Sequence, residues 1–371
     1  VLSYLKGLLS GGLLRKLAPR KTRFAAVDIG FREIKIIEIS TEDGIPVVTA
    51  FGRFPTPADA LADPVDEDAL VDALNESVPA SGIQTKEVII TISGDRVITR
   101  HIKVPLMPVK ELEAAVRFEA EKFIPVPVDE LTIRYLNLGE IESGSEKNLH
   151  LLLAAMPTSF VYDYYRFFTR AGLIVAAIDL QSLGLWRVFC GLETSTARAG
   201  TLGILDIGAS VTQFVVVRNR VIQFTRALPV GGNLLTHSLA EYYRLDFQEA
   251  QRMKEEEGEL LNTEAAASAT TGAMQVDFSL REGLSELVRE IRRSLDYYMV
   301  QEGAMPVDRF IISGGTSKLK GFREFFAEAM EVPVDFGNPG IPGLPGGDSE
   351  DIPFDPSFAV ALGTALREVV E

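Results

Sequence analysis

Cysteine is nearly missing from this chain: Cys190 stands alone among 371 residues, and only three histidines, His101, His150 and His237, accompany it. A single thiol closes no internal disulfide, and so few scattered ligands build no Cys/His zinc site. A disulfide scaffold and a structural zinc module are both excluded. Long apolar runs are missing too. Even the uncharged stretch 148–162 is interrupted by Asn148, His150, Pro157, Thr158 and Ser159, short of the roughly 18 consecutive apolar residues of a spanning helix. The chain therefore reads as soluble and cytoplasmic. Acid is absent from residues 1–23, which carry Lys6, Arg15, Lys16, Arg20, Lys21 and Arg23. That arm is +6, and the remainder, with 31 basic and 52 acidic residues, is −21. A body so acidic repels phosphate polymers, which argues against nucleic acid as a partner.

What is present points to more than one core. Hydrophobic residues make up 46% of the chain, and its length predicts two or three domains. In the arm, Leu2, Leu5, Leu8, Leu9, Leu13 and Leu17 recur near helical spacing, weakened by Gly11 and Gly12. The arm is either an amphipathic contact with an anionic membrane surface or a tail that is flexible or docked on a partner. Arg15 and Lys16 interrupt any apolar centre, so it is not read as a signal peptide.

The stretch 24–39, FAAVDIGFREIKIIEI, predicts two strands joined at an Asp-Ile-Gly turn. A helix over 66–77 and a strand over 87–92 follow. Residues 92–172 mix an acidic helix (110–123), strands (131–138 and 149–155) and a second helix (159–171), as expected of a small α+β insertion. The opening pattern then returns: VDIG at 27–30 is matched by LDIG at 205–208, and the two aspartates lie 178 residues apart. Recurrence in matching contexts is the mark of a duplicated domain. Helices are expected over 233–244, 247–257, 284–299, 321–330 and 358–370, with a solvated loop over 263–273 and a strand over 309–312. Eight of the eleven residues from Gly337 to Gly347 are Gly or Pro, which predicts an extended loop.

Each Asp-Ile-Gly turn sets a carboxylate beside amides that glycine leaves open, as phosphate oxygens and a hydrated magnesium ion require. Lys35 would share no face with Asp28 on an unbroken strand, but the turn between them resets the register and lets its ammonium reach a phosphate. Gly314 and Gly315, between a strand and a helix, would let an adenosine lie against bare backbone.

Taken in order, the first turn, the insertion, the second turn, Gly231-Gly232 and SGGTSKLKG resemble the actin-like ATPase superfamily. Within it, VDIGFREIKIIEI, AEKFIPVPVDEL, LDIGASVTQFVVV and FIISGGTSKLKGF are similar to the PilM-type proteins of type IV pilus assembly, relatives of FtsA. The resemblance implies an α/β fold of duplicated actin-like (ribonuclease H-like) domains with an inserted α+β subdomain. It divides the chain into the arm 1–23, a first subdomain of 24–91, 173–199 and 356–371, an insertion of 92–172 and a second half of 200–355. It implies ATP and Mg2+ as ligands. Asp28, Gly30 and Lys35 would belong to the first phosphate loop, Asp206, Gly208, Ala209 and Ser210 to the second, and Gly314, Gly315 and Thr316 to the adenosine loop. Asp28 and Asp206 would face the metal, Lys254 would border base and ribose, and Gln181 would stand with Asp206 where actin relatives orient the attacking water. One departure is visible. Phe31-Arg32-Glu33 replaces the small hydroxyl residues expected after the first Asp-Ile-Gly, so an anionic Glu33 beside polyphosphate is expected to oppose binding while Arg32 compensates.

The resemblance further implies a cytoplasmic adaptor at the inner membrane, gripping the tail of a PilN-like membrane protein and meeting other pilus platform proteins. Glu111, Glu113, Glu119 and Glu121 are either a solvated face or the lining for that tail. Two rivals stay open: a nucleotide-free scaffold like GspL of type II secretion, and a small-molecule kinase, for which no aspartate stands out as general base. The sequence also leaves open whether the chain forms a homo-oligomer.

Overall fold

The computed structural model describes residues 23–42, 44–143, 146–192, 200–347 and 352–370. The basic arm lies outside them except for Arg23, which opens the first strand and pairs with buried Glu38 at 2.9 Å.

Strands β1 (Arg23–Ile29), β2 (Glu33–Glu42) and β3 (Ile45–Pro55), helix α1 (Glu67–Ser81) and strand β4 (Glu87–Ile92) open the first half. Next come β5 (Ile98–Pro105), α2 (Val109–Glu121), β6 (Leu131–Ser143), β7 (Glu146–Pro157) and α3 (Thr158–Arg170). Strand β8 (Ile174–Leu180) and helix α4 (Gln181–Trp186) lead out of the first half. The second half runs through β9 (Thr201–Ile207), β10 (Thr212–Arg218), β11 (Val221–Leu228), α5 (Asn233–Tyr243), α6 (Phe247–Glu257), α7 (Thr263–Ser268) and α8 (Thr271–Met299). It ends with β12 (Arg309–Ser313), α9 (Phe322–Met330) and β13 (Val334–Phe336), and α10 (Ala359–Ala365) returns to the first half.

The duplication is explicit in the sheets. One has the order β3-β2-β1-β4-β8, the other β11-β10-β9-β12-β13. In each, the strand bearing Asp-Ile pairs antiparallel with its successor and parallel with a later strand. Both core strands are buried along nearly their whole length, which is why they read as continuous apolar runs. A third sheet, β5-β7-β6, belongs to the insertion, where Leu112, Val116 and Ala120 of α2 pack on Ile102, Val104, Leu151 and Leu153.

Three expectations change and one holds with an addition. Neither aspartate is in a turn: β1 runs through Ile29 and β9 through Ile207, so Asp28 and Asp206 are strand residues, and Asp28 is Lys35's cross-strand partner on the same face. The solvated loop over 263–273 is instead α7 and the start of α8, because Asn262 and Thr270 cap the two helices by accepting from the amides of Ala265 and Ala273. The alanines between those caps favour helix. The closing helix is shorter than expected, α10 being flanked by 3-10 turns at Pro356–Phe358 and Leu366–Glu368. The Gly/Pro-rich loop is extended, yet its Ile341 enters the core and its Pro342 carbonyl accepts from the Val48 amide at 2.9 Å. The halves meet where α4, packed on β10 of the second half, crosses α10, packed on β1 and β2 of the first. A Cβ on Gly363 would lie 1.8 Å from the Gly184 carbonyl oxygen, so only glycine permits so close a crossing.

Candidate functional site

The two Asp-Ile ends open onto one cleft between the halves, a cavity of about 940 Å³. Asp28, Gly30, Lys35, Gln181, Asp206, Gly208, Ala209, Lys254, Gly315 and Thr316 all line it, whereas Ser210 and Gly314 do not.

On the first side the loop backbone is pinned from beneath. The Gly30 amide donates to the Glu33 carbonyl at 2.9 Å, and Thr56 donates its hydroxyl to the Gly30 carbonyl (2.7 Å) and its amide to the Arg32 carbonyl (2.9 Å). Asp28 is buried, and its Oδ1 accepts from the Thr91 hydroxyl (2.6 Å) and from Gln181 Nε2 (3.0 Å). Gln181 does not cap α4, whose cap position is Leu180. Its Oε1 instead accepts from Gln213 Nε2 at 3.0 Å, and Gln213 is the cross-strand partner of Asp206. A chain of side-chain amides therefore ties the first carboxylate to the strand beside the second. Glu33 does not face the cleft unpaired: Lys35 Nζ lies 3.9 Å and Arg53 Nε 3.5 Å from its carboxylate. The expected repulsion is thereby offset.

On the second side Asp206 accepts from the Ser313 hydroxyl at 2.9 Å. Its edge is partly exposed, but its carboxyl sits deep enough that burial pushes its pKa up to about 6, with Asp28 adding to the rise and Ser313 and Lys35 opposing it. The Gly208 carbonyl accepts from the Gly232 amide (2.9 Å) and from the Thr316 hydroxyl (3.0 Å), while the Ala209 carbonyl accepts from the Asn233 amide (2.8 Å). Asn233 Nδ2 also donates to Ser210 Oγ at 2.9 Å. Thr316 thus joins the Gly314-Gly315 loop to the loop after Asp206. A Cβ on Gly231 would lie 2.5 Å from the Gly208 carbonyl oxygen, and one on Gly314, at φ 85°, 2.5 Å from that of Ile207. Gly315 faces open space. Lys254 donates to the Gly232 carbonyl (3.0 Å), Thr236 Oγ1 (2.8 Å) and Gln251 Oε1 (2.9 Å). Those bonds use all three of its protons. Burial pulls its pKa down to about 8, with Glu255 opposing and Arg32 adding to the fall.

Sequence reasoning missed Thr56, Thr91, Gln213, Thr236, Gln251 and Ser313, since each acts by holding another residue. Ser313 alone, immediately before Gly314-Gly315, carried a local signal.

Among the described residues no group of three or more His, Cys, Asp or Glu is placed to hold a metal. The glycine loops and lysine suit a polyphosphate, and the two carboxylates suit a metal that arrives with phosphate and water as its other ligands.

The family profile described as "Type IV pilus assembly protein PilM" matches residues 26–369. The chain belongs to the PilM family. It superposes on the solved PilM-PilN type IV pilus biogenesis complex with a TM-score of 0.81 and 28% identity, covering 95% of this chain and all of that one. The cell division protein FtsA of Neisseria meningitidis is 23% identical over 91% of this chain and 88% of its own. FtsA of Bacillus subtilis is 21% identical over 86% and 80%. MreB5 of Spiroplasma citri, solved bound to ADP, shares the fold alone, with a TM-score of 0.52, 12% identity and coverage of 94% of this chain and 97% of its own. The PilM-type actin-like fold expected from the motifs is therefore the fold observed, and no helix among the described residues is long and apolar enough to cross a membrane.

Proposed function

We propose that this PilM-family protein is a cytoplasmic, nucleotide-responsive adaptor of a type IV pilus assembly platform, peripheral to the inner membrane. It holds ATP between its two Asp-Ile-Gly loops and the tail of a PilN-like membrane protein on its inserted subdomain. The observation that carries the nucleotide part is the convergence of both Asp-Ile ends, with Lys35 between them, on one cleft of about 940 Å³. The loops around Gly30 and Gly208 would follow the phosphates, Lys35 would pair with them, Gly315, Thr316 and Lys254 would border the adenosine, and Asp28 and Asp206 would face a hydrated magnesium ion. A bound magnesium ion would supply charge neutralisation of the phosphates. The Gln181 amide makes one hydrogen bond at each end, which leaves it one N–H and one lone pair with which to hold a water beside the phosphates.

The PilN part rests on the likeness to a PilM-PilN complex and on the surface of α2. Val109 and Phe118 are exposed apolar residues there, and Glu111, Glu113 and Glu121 are exposed acids, while Glu119 is paired with Lys122 at 2.6 Å. That surface suits a basic-apolar peptide.

Isothermal titration tests both parts. Asp206→Ala and Lys35→Ala should each weaken magnesium-ATP binding by ~2 kcal/mol or more, and an Asp206→Ala protein that binds like the parent would remove the clamp. For a PilN-like tail peptide, Glu121→Lys should cost more affinity than Glu119→Lys and leave ATP binding intact. Equal affinity in both variants would refute the acidic docking face.

A further inference from the structure

We infer that Arg32 reads the terminal phosphate of a nucleoside triphosphate in this cleft, and that Glu255 holds Arg32 across the cleft mouth until the phosphate takes it. This rests on the nucleotide reading above and adds to it the residue that separates triphosphate from diphosphate.

The position comes from the first loop. Arg32 follows Asp-Ile-Gly-Phe, and its carbonyl is fixed by the Thr56 amide at 2.9 Å. The backbone is therefore held while the long side chain spans the cleft. There Arg32 Nη2 lies 3.7 Å from Glu255 Oε1 on α6, with the side chains 36% and 58% exposed. That separation is an ion pair beyond hydrogen-bond length, and exposed pairs of this kind hold weakly. A phosphate in the cleft would instead take two parallel charge-assisted bonds from the same guanidinium. The exchange runs toward the phosphate. The neighbouring Glu33 does not compete for Arg32, being occupied by Lys35 and Arg53.

Discrimination follows from which half carries which loop. Gly315 and Thr316, which would border the adenosine, belong to the second half, and Arg32 belongs to the first. The phosphate that reaches the first loop is the one farthest along the chain from the adenosine.

Glu255 also has a line to the second loop. Its Oε1 accepts from Gln251 Nε2, Gln251 Oε1 accepts from Thr236 and Lys254, and Lys254 holds the Gly232 carbonyl. Drawing Arg32 away changes the charge beside that network, and the fall in the Lys254 pKa already registers Arg32.

The test is titration of ATP and of ADP, each with magnesium, into the parent, Arg32→Gln, Glu255→Gln and the double variant, with circular dichroism confirming that each is folded. Arg32→Gln should lose about tenfold or more in ATP affinity, the size of one charge-assisted contact, and much less for ADP. Glu255→Gln should bind ATP roughly twofold more tightly by freeing Arg32 from an exposed pair, and that gain should vanish in the double variant. Two results overturn the inference while leaving nucleotide binding in place: Arg32→Gln that keeps the parent's ATP affinity or loses both nucleotides equally, and a Glu255→Gln effect that persists without Arg32. A parent that binds neither nucleotide removes the underlying reading as well.

Discussion

At Asp206 the environment raises a carboxyl pKa from 3.8 to about 6, and the consequence for stability has a definite sign. Between those values the folded state binds more protons than the unfolded one, so stability falls as pH rises through the window. Above it the ionised carboxylate costs the fold about 1–3 kcal/mol. Asp206→Asn, which keeps an acceptor for Ser313, should raise the melting temperature at pH 7.5 and leave it nearly unchanged at pH 4, while magnesium-ATP binding is lost. A melting temperature that does not move at pH 7.5 would show that the carboxylate is not strained by burial. Asp28 and Asp206 were legible because a motif occurs twice. The Thr91, Gln181 and Ser313 contacts that orient them were not, since hydrogen bonds between residues as distant as Asp28 and Gln181 leave no local trace. Lys35 was legible as a cation close to the first Asp-Ile-Gly, but its placement on the Asp28 face follows from the strand register.

Elements carry the site through their ends. The 208–210 loop is shaped by the start of α5, where Gly231, Gly232 and Asn233 pack against the carbonyls of Gly208 and Ala209. Gly231→Ala places a methyl against two backbone oxygens, 2.5 and 2.7 Å from its Cβ, and neither can rotate away. The variant should lose roughly 2 kcal/mol of stability and bind ATP more weakly, measured by denaturant unfolding and titration. Gly315→Ala, which meets open space, is the control that should keep its stability. Buried strands and amphipathic helices were legible from periodicity. The stretch 263–273 was not, because its Ala, Thr and Ser carry no apolar stripe and the information lies in two capping side chains, Asn262 and Thr270.

The whole molecule is two copies of one sheet joined across a cleft, with an inserted sheet on the first copy. The duplication was readable because both copies kept VDIG or LDIG. The way the insertion meets the second half was not: it depends on contacts such as Lys103 with Glu302, 2.6 Å apart, and Thr99 with Thr225 at 3.3 Å. If the adaptor couples its ligands, the coupling is reciprocal: whatever factor magnesium-ATP gives to tail-peptide affinity, the peptide must return to ATP. We expect a factor of about 5 or more, measured by titrating each ligand with the other saturating. A factor of one in both directions would mean two independent sites on one body.

The crossing of α4 and α10 bears on how such coupling travels. At Gly184 and Gly363 two backbones touch directly, with only the Thr364 hydroxyl beside them, so there is little there to interdigitate and little to unlock. Such a contact resists sliding far more than turning. It is built like the pin of a pair of scissors: if a ligand moves the halves, the motion would be a rotation about this point, nearly motionless at the pin and largest at the far edges of the two sheets. Probes at the crossing would register nothing while distances between the outer rims change, and a side chain added at Gly363 would jam the joint without touching either ligand.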